Sequence, residues 1–342
     1  MTSDHNPLIS RRAIMGTAGV GLAAASGPAF AQGATQPGGQ PPQQQASNAG
    51  LQNPLDKYPK PPFQKQSQPW PGLQSKMNPV PDCGETSYTG SGRLTGRRAL
   101  ITGGDSGMGR GAAIAFAREG ADVAINYLPP EEPDAQDVAQ LIEKAGRKAV
   151  RLPGDIRDEA FCQKLVSDAV EQLGGLDIVV CNAARQHTVE SILDMTTELF
   201  DWTMKTNIYA PFWIIKAAIP HLKPGSTIIG TTSVEAYDPD PNLYDYAQTK
   251  AATMNYVKSL AKQLASKGIR VNGVAPGPVW TPLQVSGGAN QEKLQNFGAS
   301  TPMKRPGQPV ELASIYVQLA ADGPSYATGQ VYGASGGVGV PF

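Results

Sequence analysis

With 342 residues the chain is long enough for two domains, or for one doubly wound α/β domain of about 250 residues with extensions. Its 29 basic and 29 acidic side chains balance, which excludes the electrostatic footprint of a nucleic-acid or anionic-membrane binder and favours a small-molecule partner. The three cysteines, Cys83, Cys162 and Cys181, have no metal-ligand spacing and cannot all pair, so they read as small buried hydrophobes, and no catalytic metal is expected.

The chain opens with Arg11-Arg12 ahead of an Ala/Gly-rich apolar run that ends in Ala29-Phe30-Ala31. This pattern resembles a twin-arginine export signal over residues 1–31, cleaved after Ala31, and predicts a periplasmic protein that uses the export machinery for folded proteins. Without a working signal the protein would stay cytoplasmic. The apolar run is too short and too rich in glycine to span a membrane. Residues 32–53 are rich in Gln, Pro, Gly and Ala without apolar periodicity and predict a disordered tether. Over residues 54–92 the prolines continue, with Tyr58, Phe63, Trp70, Leu73, Met77 and Tyr88 among them. The expectation is a proline-stiffened arm whose aromatic anchors lie on the main domain or on a neighbouring subunit.

At Arg97 the character changes. Arg98–Thr102 predicts a buried strand, Gly103-Gly104-Asp105-Ser106-Gly107-Met108-Gly109 a tight turn, and the amphipathic run to Gly120 a helix. A glycine-rich turn between strand and helix is a site for a pyrophosphate, because Gly107 and Gly109 let backbone approach and the helix offers unpaired N–H groups. The alternation continues with strands at Asp122–Tyr127, Ala149–Leu152 and Leu176–Cys181 and helices at Pro133–Gly146 and Asp158–Leu173. Such βα repeats predict a parallel sheet covered on both faces, with ligands beyond the carboxyl ends of the strands. Gly103–Gly109, Asp155, Asn182 and, after a strand at Thr227–Gly230, Ser233 all fall at that edge.

Tyr246 and Lys250 stand four residues apart on a predicted helix and project from one face. An ammonium beside a phenol favours the phenolate, so the pair has the outline of acid-base chemistry. Ala247, Ala251, Met254, Val257, Ala261 and Leu264 form a packing stripe on the same helix. Gly329–Gly333 reads as a final strand.

Taken in order, Thr102-Gly103-x-x-x-Gly107-x-Gly109, Asn182-Ala183-Ala184, Asn207, Ser233, Tyr246-x-x-x-Lys250 and Pro276-Gly277-x-x-x-Thr281 resemble the short-chain dehydrogenase/reductase pattern, covering residues 93–342. Tyr58-Pro59-Lys60-Pro61-Pro62-Phe63 and Ser75-Lys76-Met77-Asn78-Pro79 further resemble its bacterial general-stress, glucose/ribitol dehydrogenase-like branch. The resemblance implies a single Rossmann-type domain, a homotetramer with subunit contacts through residues 202–222 and the Tyr246 helix, and an NADP or NAD cofactor. It implies Tyr246 as general acid and base, Lys250 lowering its pKa and binding the nicotinamide ribose, Ser233 orienting the substrate oxygen, and Asn207 holding a relay water. Cofactor contacts are implied for Thr102, Gly103, Ser106, Gly107, Met108, Gly109, Tyr127, Asp155, Ile156, Asn182, Ala183, Tyr246, Lys250, Pro276, Gly277, Val279 and Thr281.

Two departures stand out. Cys181-Asn182-Ala183-Ala184 replaces the family's Asn-Asn-Ala-Gly, and Asn126-Tyr127-Leu128 carries neither the acid expected for NAD nor the arginine expected for NADP. Reductases with Asn-Tyr at this place tilt the expectation toward NADP. Arg185, Gln186, Glu235 and Trp280 are the candidates for substrate contact. The expected function is oxidoreduction between an aldehyde, ketone or sugar and an alcohol. The alternative from another class is a dinucleotide-binding or redox-sensing protein without turnover, for which the set Asn207, Ser233, Tyr246 and Lys250 has no use. A sugar-nucleotide epimerase expects a larger substrate domain than the chain has room for.

Overall fold

The computed structural model describes residues 50–338. The expected export signal at 1–31 and nearly all of the expected tether at 32–53 lie outside the described residues.

Seven parallel strands form one sheet: β1 (Arg98–Thr102), β2 (Asp122–Tyr127), β3 (Ala149–Pro153), β4 (Ile178–Cys181), β5 (Thr227–Thr231), β6 (Arg270–Pro276) and β7 (Val331–Ala334). Their order is β3-β2-β1-β4-β5-β6-β7, the doubly wound arrangement, and it reverses direction between β1 and β4. The strands are apolar runs without alternation because helices cover both faces. The α1 (Gly107–Arg118), α2 (Glu132–Lys144) and α9 (Pro309–Ala320) helices pack on one side around Phe116, Ile142 and Tyr316. The α3 (Glu159–Leu173), α5 (Ala210–Ala218) and α6 (Tyr244–Leu264) helices pack on the other around Leu165, Ile214 and Val257. Glycine sets the spacing where α1 meets α9, since a Cβ on Gly111 would lie 3.1 Å from the Pro309 carbonyl oxygen.

Between α4 (Thr197–Met204) and α5 the helix widens into a π-turn over Lys205–Tyr209, which contains Asn207. Two short helices, α7 (Pro282–Ser286) and α8 (Gln291–Gln295), follow β6. None of the described helices is long and apolar enough to cross a membrane.

The arm at 54–92 lies against this domain. Phe63 and Met77 are buried with Trp280, Val285 and Leu294 in a small core of their own, and Phe63 stacks on Trp280 at 4.3 Å between ring centroids. Further on, the Tyr88 hydroxyl donates to the buried Glu119 carboxylate at 2.6 Å. Burial alone would raise the Glu119 pKa, but Arg93, Tyr88 and the Arg93 and Ser91 N–H groups hold it down at about 2.

Candidate active site

The site begins where β1 and β4 part. The Thr102 hydroxyl accepts the N–H groups of Asn182 and Ala183 at 3.1 Å each, and the Asn182 amide donates to the carbonyls of Thr102 and Gly103. These bonds join the ends of the two strands and fix the start of the glycine turn. Gly103 and Gly107 have φ of +61° and +51°, which a side chain adopts only with strain. A Cβ on Gly109 would lie 1.9 Å from the Gly103 carbonyl oxygen, so the first turn of α1 sits directly on the loop.

A cleft opens over this turn. Gly103, Ser106, Gly107, Met108, Tyr127, Asp155, Ile156, Asn182, Ala183 and Thr281 line it together with Tyr246 and Lys250. Ser106 and Thr281 are the N-cap residues of α1 and α7, yet neither side chain caps its helix. Asp155 is paired with Arg157, which also lines the cleft and lies 4.4 Å from the Trp202 ring. This is the shape and backbone chemistry that a dinucleotide requires, and a Cβ on Gly107 would already crowd Thr281 at 3.0 Å.

A second cavity of about 300 Å³ adjoins the first. Ser233, Gln186, Glu235, Asn296 and Ser300 supply its polar lining, and Leu243, Leu294 and Phe297 its apolar lining. Pro276, Gly277 and Val279 form part of its wall. Met108, Tyr246, Thr281 and Leu283 line both cavities and mark where the two meet. Burial raises the Glu235 pKa above the usual carboxylate range, against the opposing N–H of Asp240.

Tyr246 and Lys250 are buried, at 8% and 3% exposed. Lys250 Nζ donates to the Thr231 carbonyl at 2.8 Å and lies 5.2 Å from the Tyr246 ring centroid. The Thr232 hydroxyl holds the Lys250 carbonyl at 2.7 Å, tying α6 to the end of β5. Here the electrostatics differ from the sequence expectation. Burial raises the Tyr246 pKa, with a hydrogen bond from Ser233 acting in the other direction, and burial lowers Lys250 to about 7. Removing both groups from water disfavours each charged form by more than their mutual attraction returns.

Three further expectations meet a different local structure. Trp280 is fully buried, stacked on Phe63, and donates its indole N–H to the Pro79 carbonyl at 2.8 Å, so it anchors the arm and lines neither cavity. The buried guanidinium of Arg185 donates to the Thr203 hydroxyl at 2.9 Å and stacks 4.4 Å from Trp202, and it lines neither cavity. The Asn207 amide gives its two hydrogens to the Arg185 carbonyl and the Thr249 hydroxyl and accepts the Arg185 N–H. Both amide hydrogens are therefore taken, and a water held at this residue would have to donate to the remaining lone pair of its Oδ1 or to a backbone carbonyl.

Sequence reasoning passed over several lining groups. Trp70, Pro71 and Gly72 of the arm, Asp105, Glu131, Arg157 and Trp202 all border the cleft. Burial raises both the Asp105 and the Glu131 carboxyls above the usual carboxylate range, and the charge of Asp105 raises Glu131 further. The advance signals were Trp70, one of the aromatic anchors of the arm, and Asp105, a charged residue inside the glycine turn. Among the described residues no group of His, Cys, Asp or Glu could hold a metal ion, and the three cysteines are free and buried.

The family model described as enoyl-(acyl carrier protein) reductase matches residues 103–339. The Escherichia coli (strain K12) protein named uncharacterized oxidoreductase YghA is 58% identical over 287 residues, 84% of this chain and 98% of that protein. The Arabidopsis thaliana protein named NADPH-dependent aldehyde reductase 1, chloroplastic, is 42% identical over 273 residues, 78% of this chain and 94% of the relative. A crystal structure of a short chain dehydrogenase from Burkholderia cenocepacia J2315 in complex with NADP is similar at a TM-score of 0.66 and 34% identity, over 72% of this chain and 98% of that one. The likeness runs from the glycine turn past the last strand, and on it the chain belongs to the short-chain dehydrogenase/reductase family of oxidoreductases.

Proposed function

We propose that the protein interconverts a carbonyl compound and an alcohol, using NADP or NAD, with Tyr246 as the proton donor and acceptor. The observation that carries this reading is that Tyr246 lines both the cleft over the glycine turn and the adjoining cavity. Hydride and proton must reach adjacent atoms of one substrate, and a titratable hydroxyl at the junction of the two cavities answers that demand.

A nicotinamide dinucleotide bound in the cleft would supply the hydride. Gly103–Gly109 and the start of α1 would hold its phosphates, and Asp155 and Ile156 would flank the adenine. Thr281 and Lys250 would hold the nicotinamide end. In reduction Tyr246, kept protonated by burial, donates its proton to the carbonyl oxygen, and Ser233 donates a hydrogen bond to the same oxygen. Lys250, with its pKa brought to about 7, can lose and regain a proton near neutrality and so relay it to Tyr246. Asn207 positions the relay by pinning Arg185 and Thr249.

The similarity to an NADPH-dependent aldehyde reductase and to an NADP complex supports NADP. The carboxyls of Asp105 and Glu131 in the cleft lining offer no positive charge to a 2′-phosphate, which supports NAD. The mixed lining of the second cavity suits a small hydroxylated substrate, an aldehyde, ketone or sugar. The test is oxidation of NADPH and of NADH across a panel of such carbonyls, with Tyr246→Phe as control. Tight dinucleotide binding without turnover of any of them would leave the sensor reading in its place.

The expected homotetramer is supported by Tyr209 and Phe212, exposed at 47% and 58% and three residues apart on the π-turn and α5, with Tyr244 at the start of α6 exposed at 43%. Phe212→Glu should lower the mass measured by light scattering from four subunits toward fewer. A wild-type monomer, or a variant still tetrameric, would count against that face.

Arg11 and Arg12 ahead of the Ala/Gly run support export to the periplasm in the folded state, and with it a cofactor loaded before transport and recycled in place. Changing both arginines to lysine should move the protein from the periplasmic to the cytoplasmic fraction, and native mass spectrometry of the exported protein should find bound dinucleotide. Unchanged export would refute the signal, and empty sites would refute preloading.

A further inference from the structure

The arm touches both walls of the dinucleotide cleft. On one wall the Phe63 N–H donates to the Gln295 carbonyl at 2.8 Å and the Gln68 N–H to the Val285 carbonyl at 2.9 Å. Gly72 lies so close to α7 that a Cβ there would sit 3.1 Å from the Ser286 side chain and 3.2 Å from the Pro282 carbonyl. On the other wall the Gln74 N–H donates to Asp134 of α2 at 2.6 Å, and the Gln74 side-chain oxygen accepts the N–H of Gly107 at 2.8 Å. Cys83 adds a contact to the Gly107 carbonyl at 3.4 Å. Between these two attachments Trp70, Pro71 and Gly72 line the cleft itself.

The Trp70 indole nitrogen is buried and has no hydrogen-bond partner among the described residues. A buried donor left unpaired costs about 1–3 kcal/mol, and native structures keep few of them without a use. The glycine turn and Pro282, Leu283 and Ser286 of α7 line the same cleft. That is the stretch where the phosphate bridge of a dinucleotide would cross from the turn to α7. An anionic oxygen is the natural acceptor for a neutral N–H in a dry cleft.

We propose that the arm is a strap across the cofactor cleft and that Trp70 donates its indole N–H to the phosphate bridge of the bound dinucleotide, slowing its release. The inference rests on the dinucleotide reading of the cleft. Because the arm is fastened to both walls, the cofactor leaves only when one attachment opens, and the effect falls on dissociation. A retained cofactor also suits an enzyme that has to keep it after export.

The test uses the full chain and NADPH, displaced by excess NADP in a stopped-flow instrument and followed by nicotinamide fluorescence. Trp70→Phe keeps the ring and loses the donor, and should speed release about tenfold, equivalent to about 1.4 kcal/mol, with little change in association rate. Trp70→His restores a ring N–H and should recover part of the slow release. Adenosine 2′,5′-bisphosphate lacks the phosphate bridge, and its affinity should be the same for wild type and Trp70→Phe. Equal release rates for wild type and both variants would overturn the role of Trp70 while leaving the dinucleotide reading intact. Failure of wild type to bind NADPH or NADH would overturn that reading and the strap with it.

Discussion

Replacing Tyr246 by phenylalanine should reduce turnover by about a thousandfold, within the range of 10²–10⁴ that positioned proton transfer contributes, and leave dinucleotide affinity within about twofold. The two outcomes separate because the hydroxyl and the ring do different things. The ring is the part packed in the wall between the two cavities, 5.2 Å from Lys250 Nζ, and the substitution keeps it. The hydroxyl is the only group removed, and burial keeps it protonated, ready to donate as hydride arrives at the carbonyl carbon. Loss of the donor leaves Ser233 able to polarise the oxygen but with no proton to give it from the junction, so kcat falls while KM moves little. The measurement is steady-state reduction at saturating NADPH, with cofactor affinity by calorimetry on the same samples. Residual turnover above a tenth of wild type would assign the proton to another group. A matching loss of affinity would mean that the variant had disturbed the cleft.

Much of this site was legible because it is carried by local rules. A strand, a glycine turn and a helix in that order can be read without tertiary knowledge, and the strands at Arg98–Thr102 and Asp122–Tyr127 have the bounds expected of them. β6 was harder, since Asn272 and Gly273 interrupt its apolar run. Its Asn272 amide is satisfied by the Ala327 carbonyl at 2.8 Å and the Gln330 N–H at 3.1 Å, partners that only the fold supplies. Trp280 sits one residue before Thr281 and so read as a wall of the substrate site. Its true partner, Phe63, belongs to the arm, and no local pattern connects them. The Tyr246–Lys250 electrostatics were misjudged for a related reason. Spacing on a helix reports the attraction between two groups but not how much water each has lost, and here the second effect is larger.

That balance makes Lys250→Met a sharper experiment than its loss of activity alone. Burial lowers Lys250 from 10.5 to about 7, so between those two pH values the unfolded chain carries the proton and the folded one does not. The unfolded state then binds more protons, and the stability of the wild type rises with pH across that window. At pH 7 and below, the folded protein bears most of the cost of an ammonium 3% exposed, up to several kcal/mol by linkage at about 1.4 kcal/mol per pH unit. Methionine is of similar length and uncharged, and removes that cost. Against it stands the hydrogen bond to the Thr231 carbonyl, whose loss leaves a buried acceptor unpaired at about 1–3 kcal/mol. The net expectation is a variant on the order of 2 kcal/mol more stable than wild type at pH 7, falling behind it as pH approaches 10. Its turnover should be about a hundredfold lower or less, for want of the proton relay. Urea unfolding of both proteins at pH 7 and pH 9.5 decides the matter. A wild type whose stability is flat between them, together with a less stable variant at pH 7, would show that the ammonium is solvated or paired in the folded protein. Lys250 would then act on Tyr246 as a fixed positive charge instead of as a group poised to exchange its proton.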